Sequence, residues 1–275
     1  MKAVDLMGLT GLDEQLRRLL ETAVRAAGKA GGIIYELYDK PHTIRHKGEI
    51  DLVTEADVAS EEAIISILEK KCPGITVLAE ESQNTYDGAP EEPVWIIDPL
   101  DGTTNFAHGF PFFCVSIGYM EEGRMRAGVI YLPMLDELFY AAENSGAWLN
   151  GNRIHVSAET ELIKALIATG FPYDIEENLQ RIMNMTESVL PRVRDIRRAG
   201  AAAIDLAYVA CGRLDGFWEM NLKPWDTAAG QLLVEEAGGR MSDFAGNTFS
   251  NFAPQVVATN GRIHQDLVDL LQDSD

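Results

Sequence analysis

Asp98 and Asp101 follow the apolar run Val94-Trp95-Ile96-Ile97, with Pro99 between them and Gly102-Thr103 immediately after. Such a run reads as a buried strand, which Pro99 breaks. Glu80 follows a second apolar run, 75–79, in the same way. A carboxylate at that depth either finds positive charge or becomes neutral. No Lys or Arg lies within three residues of Glu80, Asp98 or Asp101, so a bound metal is a natural source of that charge. Oxygen donors without a nearby His or Cys suit a hard cation, Mg²⁺ or Mn²⁺, and not zinc. The Asp-Pro-Leu-Asp spacing bends the chain so that both carboxylates, with the Leu100 carbonyl, can face one point. Carboxylates bridging two ions suit in-line phosphoryl displacement, one ion activating water and the other neutralising the leaving oxygen. Gly102 and Thr103 offer backbone N–H groups at a helix start, which is an anion site.

Two further acids are ambiguous. Thr54 with Asp57 three residues on resembles a capping box in which Asp replaces Glu, so Asp57 alone reads as a first-turn residue. Asp226 reads as an N-terminal cap on a helix over 226–237, with Lys223 as a local cation. An Asp-Gly pair such as 101–102 is by itself most often a turn. Elementary physics singles out only the combination at 80, 98 and 101.

These side chains need a frame. Helical periodicity covers 12–38, with Gly28, Gly31 and Gly32 permitting close approach of a neighbouring backbone. Residues 42–53 are polar and predict a loop or hairpin carrying Lys47 and Asp51. A helix follows from Thr54 to Cys72, then strands at 75–79 and 94–97. Apolar stretches at 113–120, 126–132 and 137–142, separated by short turns, predict an antiparallel meander, with another turn at Asn150-Gly151. The second half alternates: strands at 166–169, 214–219 and 255–259, helices at 176–190, 201–211 and 226–237, and a terminal helix. This is an α+β chain with two sheets and helices in layers, without a visible linker.

Composition narrows the functions. The 275 residues are 46% hydrophobic, enough for a sizeable core. With 23 basic and 43 acidic residues the formal net charge is −20, which argues against nonspecific nucleic-acid or anionic-membrane binding. The three cysteines, Cys72, Cys114 and Cys211, have no zinc-like or Cys-x-x-Cys spacing, and a reduced, cytoplasmic setting is expected. No signal peptide or membrane span is expected. Arg192, Arg194, Arg197 and Arg198 make a small basic cluster, read as solvated surface or as a partner-protein contact.

The blocks Asp51-Leu-Val-Thr-Glu-Ala-Asp57, Leu78-Ala-Glu80-Glu-Ser82, Trp95 to Phe106 and Pro224-Trp-Asp226-Thr-Ala-Ala-Gly230 resemble the inositol monophosphatase family of magnesium-dependent, lithium-sensitive sugar phosphatases. The matching blocks keep the family's order, and the resemblance spans about 47–260. It implies one domain over 1–275, an αβαβα sandwich with an α+β half to about 150 and an α/β half from about 151. It implies two to three Mg²⁺ ions, with Mn²⁺ as an alternative. Glu80, Asp98 and the Leu100 carbonyl would hold the first, and Asp98, Asp101 and Asp226 the second. A third would sit near Glu80, largely through water. Asp57 and Thr103 would orient and deprotonate the attacking water, and the Gly102–Thr103 backbone would cradle phosphate. Gly200 to Ala202, Glu219 and Lys223 would contact the polyol, and Lys47 would belong to a mobile active-site loop. Lys223 stands where animal members have His. Thr104-Asn105 favours the inositol branch over those that cleave 3′-phosphoadenosine 5′-phosphate or histidinol phosphate. The implied substrate is inositol 1-phosphate or a similar polyol phosphate, with fructose 1,6-bisphosphate or NADP as alternatives. A homodimer is expected from the family. A protein-interaction role in a transcription complex is the rival from another class.

Overall fold

The computed structural model describes residues 9, 12–38, 40, 45–46, 52–82 and 85–272. Lys47 and Asp51 lie outside the described residues. Helix α1, Glu14–Leu37, is capped by Asp13, whose carboxylate accepts from the Leu16 N–H at 2.9 Å. Its buried stripe includes Leu16, Leu20, Ala27 and Ile34. Strands β1, Arg45–His46, and β2, Leu52–Val53, pair antiparallel, as the expected hairpin requires. Helix α2, Glu55–Lys71, carries the expected capping box: the Thr54 hydroxyl accepts from Ala56 N–H at 3.1 Å, and Asp57 accepts from Thr54 N–H at 2.8 Å.

Seven strands make the first sheet in chain order: β3 Thr76–Ala79, β4 Val94–Asp101, β5 Cys114–Glu121, β6 Arg124–Leu132, β7 Glu137–Ala142, β8 Ala147–Leu149 and β9 Asn152–Ile154. Only β3 and β4 run parallel; the remainder is the predicted meander, antiparallel throughout. A short helix, α3, spans Thr103–Ala107 between β4 and β5. The second half supplies β10 Leu166–Thr169, α4 Ile175–Val189, β11 Asp195–Arg197, α5 Ala202–Ala210, β12 Gly216–Met220, α6 Pro224–Glu236, β13 Arg240–Ser242, β14 Gln255–Thr259 and α7 His264–Gln272. Its sheet has the order β11-β10-β12-β14-β13.

The layers follow from which faces are apolar. Helices α1 and α2 pack together on one face of the large sheet, and α5 and α6 fill the space between the sheets. Helices α4 and α7 cover the outer face of the small sheet. The result is an αβαβα sandwich, as expected. Among the described residues no helix is long and apolar enough to cross a membrane.

One expectation of helix packing needs correction. Gly31 does not admit a neighbouring backbone; a Cβ there would strike the ring of Tyr131, a side chain. Backbone contact occurs instead under α6. Gly118 and Gly128 on the sheet face Ala228 and Ala229, and a Cβ at Gly128 would lie 2.8 Å from the Ala229 carbonyl oxygen. Small residues on both sides seat α6 against the large sheet, which brings the first turn of α6 beside the end of β4. Gly128→Ala should therefore push α6 outward and cost about 1–3 kcal/mol, as overpacking does; denaturant unfolding measures it, and an unchanged midpoint would contradict this packing.

A buried histidine adds a pH dependence. Ser242 donates its hydroxyl to the Asp243 carbonyl at 2.6 Å, so it accepts from His264 Nε2 at 2.9 Å. Nδ1 then accepts from the Thr259 hydroxyl at 2.9 Å, so a second ring proton would have to turn that hydroxyl away. Burial, with Arg240 adding repulsion, pushes the imidazole from 6.5 down to about 4. The unfolded chain binds the extra proton first. The His264 contribution to stability is full above about 6.5 and is lost as pH drops toward 4. His264→Gln should flatten that window in melts across pH.

Candidate active site

Strand β4 does not stop at Pro99 as predicted; it runs on to Asp101 and is buried over most of its length. Against β5, Asp98 pairs with Ser116 and Asp101 with Cys114, so two residues of β4 oppose one of β5 between them. In a regular strand, positions three apart face opposite sides. The bulge adds one residue and turns both carboxylates to the same side. The Ser60 hydroxyl of α2 holds the bulge by donating to the Pro99 carbonyl at 2.7 Å. Because Ala79 pairs with Ile97, Glu80 emerges beside Asp98. Glu61 of α2 fastens the next turn, accepting from Glu81 N–H at 2.9 Å.

The remaining acids arrive from elsewhere in the chain. Helix α6 begins at Pro224, not at 226, because proline suits the first helical position. Asp226 is thus in the first turn, not the cap, and its carboxylate accepts from the Lys223 N–H at 2.6 Å. One oxygen of Asp101 accepts from Ala203 N–H in the first turn of α5, at 2.8 Å. Asp57 Oδ1 accepts from the Thr103 hydroxyl at 2.8 Å, while Oδ2 is held by Thr54. The Thr103 oxygen also lies 3.1 Å from the Leu100 carbonyl oxygen. Gly102 carries φ +96°, and a Cβ there would sit 2.9 Å from the Phe112 carbonyl oxygen, so the turn between Asp101 and Thr103 requires glycine.

Glu80, Asp98, Leu100, Asp101, Gly102, Thr103, Glu219, Lys223 and Asp226 line one cavity of about 450 Å³, and Gly200 and Ala202 line an adjoining chamber of about 260 Å³. A larger surface groove of about 1270 Å³ along α2 contains none of the five acids first singled out. Glu219 is packed against Gly170, where any Cβ would displace it. Asn105 ties the wall together, its side-chain amide reaching the carbonyls of Phe112, Ala199 and Gly200 at 2.8, 2.9 and 3.3 Å.

The electrostatics are those of crowded anions. Burial, then the charges of Glu80, Asp101 and Asp226, hold Asp98 well above the usual carboxylate range. Burial pushes Asp101 up to about 7, and burial with repulsion from Asp101 pushes Asp226 up to about 7. Burial also raises Asp57 against the hydrogen bonds from Thr54 and Thr103. Among the described residues no three His, Cys, Asp or Glu are already gathered as a ligand cluster. The acids stand apart as an open, like-charged set around the cavity. Several carboxylate oxygens and one peptide carbonyl fit a hard divalent cation, which would relieve the repulsion and draw them together.

Sequence spacing does not reveal Ser60 and Glu61, although both follow Asp57 at three and four residues, the spacing of one helix face. Asp205 is also new: it is buried in α5, within the field of Asp101. An acid in an alanine-rich run was the signal. All four arginines of the basic cluster are exposed, and Arg198 also borders the smaller chamber.

Buried acids around one cavity, beside a hydroxyl held by a carboxylate, are a donor set suited to a metal-dependent hydrolase. The model of the inositol monophosphatase family matches residues 15–275. The chain is 44% identical over 247 residues to Nus factor SuhB of Escherichia coli, covering 89% of this chain and 92% of that protein. It is 45% identical over 258 residues to inositol-1-monophosphatase of a Synechocystis species, covering 92% and 88%. The crystal structure of extragenic suppressor protein suhB from Bartonella henselae superposes with a TM-score of 0.87 at 42% identity, covering 92% and 98%. The chain belongs to the inositol monophosphatase family and is a phosphoric monoester hydrolase.

Proposed function

We propose that residues 1–275 act as one catalytic unit that hydrolyses inositol 1-phosphate and similar polyol phosphates with Mg²⁺. The observation that carries this reading is the contact of Thr103 with Asp57 at the edge of a cavity walled by Glu80, Asp98, Asp101 and Asp226. Glu80, Asp98 and the Leu100 carbonyl would hold one ion, and Asp98, Asp101 and Asp226 a second; a third would lie near Glu80. Bound Mg²⁺ supplies charge neutralisation on the phosphate oxygens and acidifies water. Thr103 gives its proton to Asp57, so its lone pairs are left to orient a water in the cavity. As water attacks phosphorus, its proton passes toward Asp57, whose burial strengthens it as a base. The new P–O bond forms, the ester P–O bond breaks, and the polyol leaves with a proton. The backbone of Gly102 and Thr103 would cradle the phosphate, and Gly200, Ala202, Glu219 and Lys223 the polyol. Lys47 is proposed to serve the same site from the preceding loop. A cytoplasmic homodimer is proposed, without direct nucleic-acid or membrane binding.

Phosphate release from a panel of inositol 1-phosphate, fructose 1,6-bisphosphate and NADP, compared by kcat/KM with and without Li⁺, tests the substrate. Inositol 1-phosphate should lead, and millimolar Li⁺ should inhibit. A lead by fructose 1,6-bisphosphate or NADP would move the assignment to that substrate.

A second reading is favoured by the likeness to a protein named Nus factor: a partner contact in a transcription complex. Arg192, Arg194 and Arg197 are exposed on the surface, away from the cavity. Reversing these three charges should remove a co-purified partner while phosphatase activity persists. Recovery of no partner with wild type removes this reading.

A further inference from the structure

The loop that joins β10 to α4 walls both chambers: Phe171, Pro172 and Tyr173 line the acid cavity and the smaller chamber alike. The sheet holds its near end. Thr169 pairs with Trp218 of β12 and donates its hydroxyl to the Trp218 carbonyl at 2.9 Å. The loop then crosses Glu219 at Gly170, where a Cβ would meet the carboxylate. At the far end Asn221 Nδ2 donates to both carboxylate oxygens of Asp174, at 3.1 and 2.9 Å. Asn221 is a firm anchor. It carries φ +62°, in the left-handed region that Asn tolerates better than most residues, and its N–H donates to the Pro254 carbonyl at 2.5 Å. It also lines the acid cavity, with Leu222 and Lys223. Asp174 is the N-cap of α4, yet its carboxylate makes no cap hydrogen bond to that helix. An N-cap aspartate ordinarily accepts from the first helical turn. Here both oxygens accept from Asn221 instead, so a helix cap is forgone for a contact between two loops of the cavity wall. The phosphate end is held separately: Asp98, Asp101 and Asp226 accept from the backbone N–H groups of Leu100, Ala203 and Lys223.

We infer that Asp174 and Asn221 are a positioning pair for polyol recognition: their hydrogen bonds hold loop 170–174 over Glu219 and so shape the polyol end of the site. The inference rests on the phosphatase reading above and adds two residues that act through the loop and not on the reacting atoms. A loop seated only part of the time lowers affinity for the polyol by that fraction and leaves phosphate binding as it was.

The test is steady-state kinetics on myo-inositol 1-phosphate, with inorganic phosphate as competitive inhibitor, using Mg²⁺-loaded wild type and variants. Asp174→Ala and Asn221→Gly each remove the contact, and glycine keeps the left-handed backbone at 221. A hydrogen bond of this kind is worth about fivefold in an equilibrium constant. KM should therefore rise by about fivefold in each variant, while kcat and the Ki of phosphate stay within about twofold. Asn221→Asp sets two carboxylates face to face and should raise KM further. Adding Asp174→Asn to it exchanges donor and acceptor, and KM should return to within about twofold of wild type. An unchanged KM in Asp174→Ala and Asn221→Gly, a parallel rise in phosphate Ki, a loss confined to kcat, or a double variant no better than Asn221→Asp would overturn the pairing while leaving the phosphatase reading intact. No release from myo-inositol 1-phosphate by wild type overturns both.

Discussion

Asp98→Asn should abolish turnover, lowering kcat by at least about 10³-fold, because metal charge stabilisation is worth several kcal/mol and each ~1.4 kcal/mol is tenfold. Asp98 is the acid that Glu80, Asp101 and Asp226 all act on, and the proposal places it on both ions. The fold should survive. Asn is isosteric, and its side-chain oxygen still accepts from Leu100 N–H, a bond of 2.9 Å in the native protein. In EDTA-treated protein the variant should melt higher than wild type, since it removes one charge from a buried like-charged set. Added Mg²⁺ should reverse that order by stabilising wild type more. Activity and melting together separate a lost metal site from a lost fold: near-normal turnover, or a variant that melts lower in EDTA, would contradict the role given to Asp98.

The second large effect is at Thr103. Thr103→Val keeps the shape and removes the hydroxyl that joins Asp57 to the cavity. Proton-transfer groups contribute about 10²–10⁴-fold, and kcat should fall within that range with Mg²⁺ affinity nearly unchanged. Thr103→Ser should retain most activity. Asp57 Oδ2 keeps its bonds to Thr54 at 2.8 and 2.6 Å, so the capping of α2 persists in both variants. Kinetics with an independent Mg²⁺ titration distinguish this from a metal-site defect, which would lower affinity as well.

What the sequence made legible is what is local in the chain. Glu80 at the end of β3 and Asp98 at the end of an apolar run could be read because a strand and its flanking acid are contiguous. The capping box of Thr54 and Asp57 was legible for the same reason, and it turns out to serve the site: capping holds one oxygen of Asp57 and leaves the other for Thr103, 46 residues away. That second contact has no sequence signal without the resemblance. The bulge at Pro99-Leu100 was hidden too. Proline reads as a strand end, whereas here β4 itself carries an extra residue opposite β5 and the carboxylates turn to one side. The two-residue error at the start of α6 had a physical cause: Asp226 suits a cap, but Pro224 suits the first helical position and moves the cap to Lys223. The surface reading of Arg198 holds, since it is exposed with its neighbours; that it also borders the smaller chamber has no signal in the sequence.

The most direct test of the central claim is phosphate release from myo-inositol 1-phosphate by EDTA-stripped protein, measured before and after Mg²⁺ is restored. The carboxylate set described here predicts no release without metal and full recovery with it. Release that persists undiminished in EDTA, or none at any Mg²⁺ concentration, would contradict the assignment of Glu80, Asp98, Asp101 and Asp226 as the seat of a metal-dependent phosphatase.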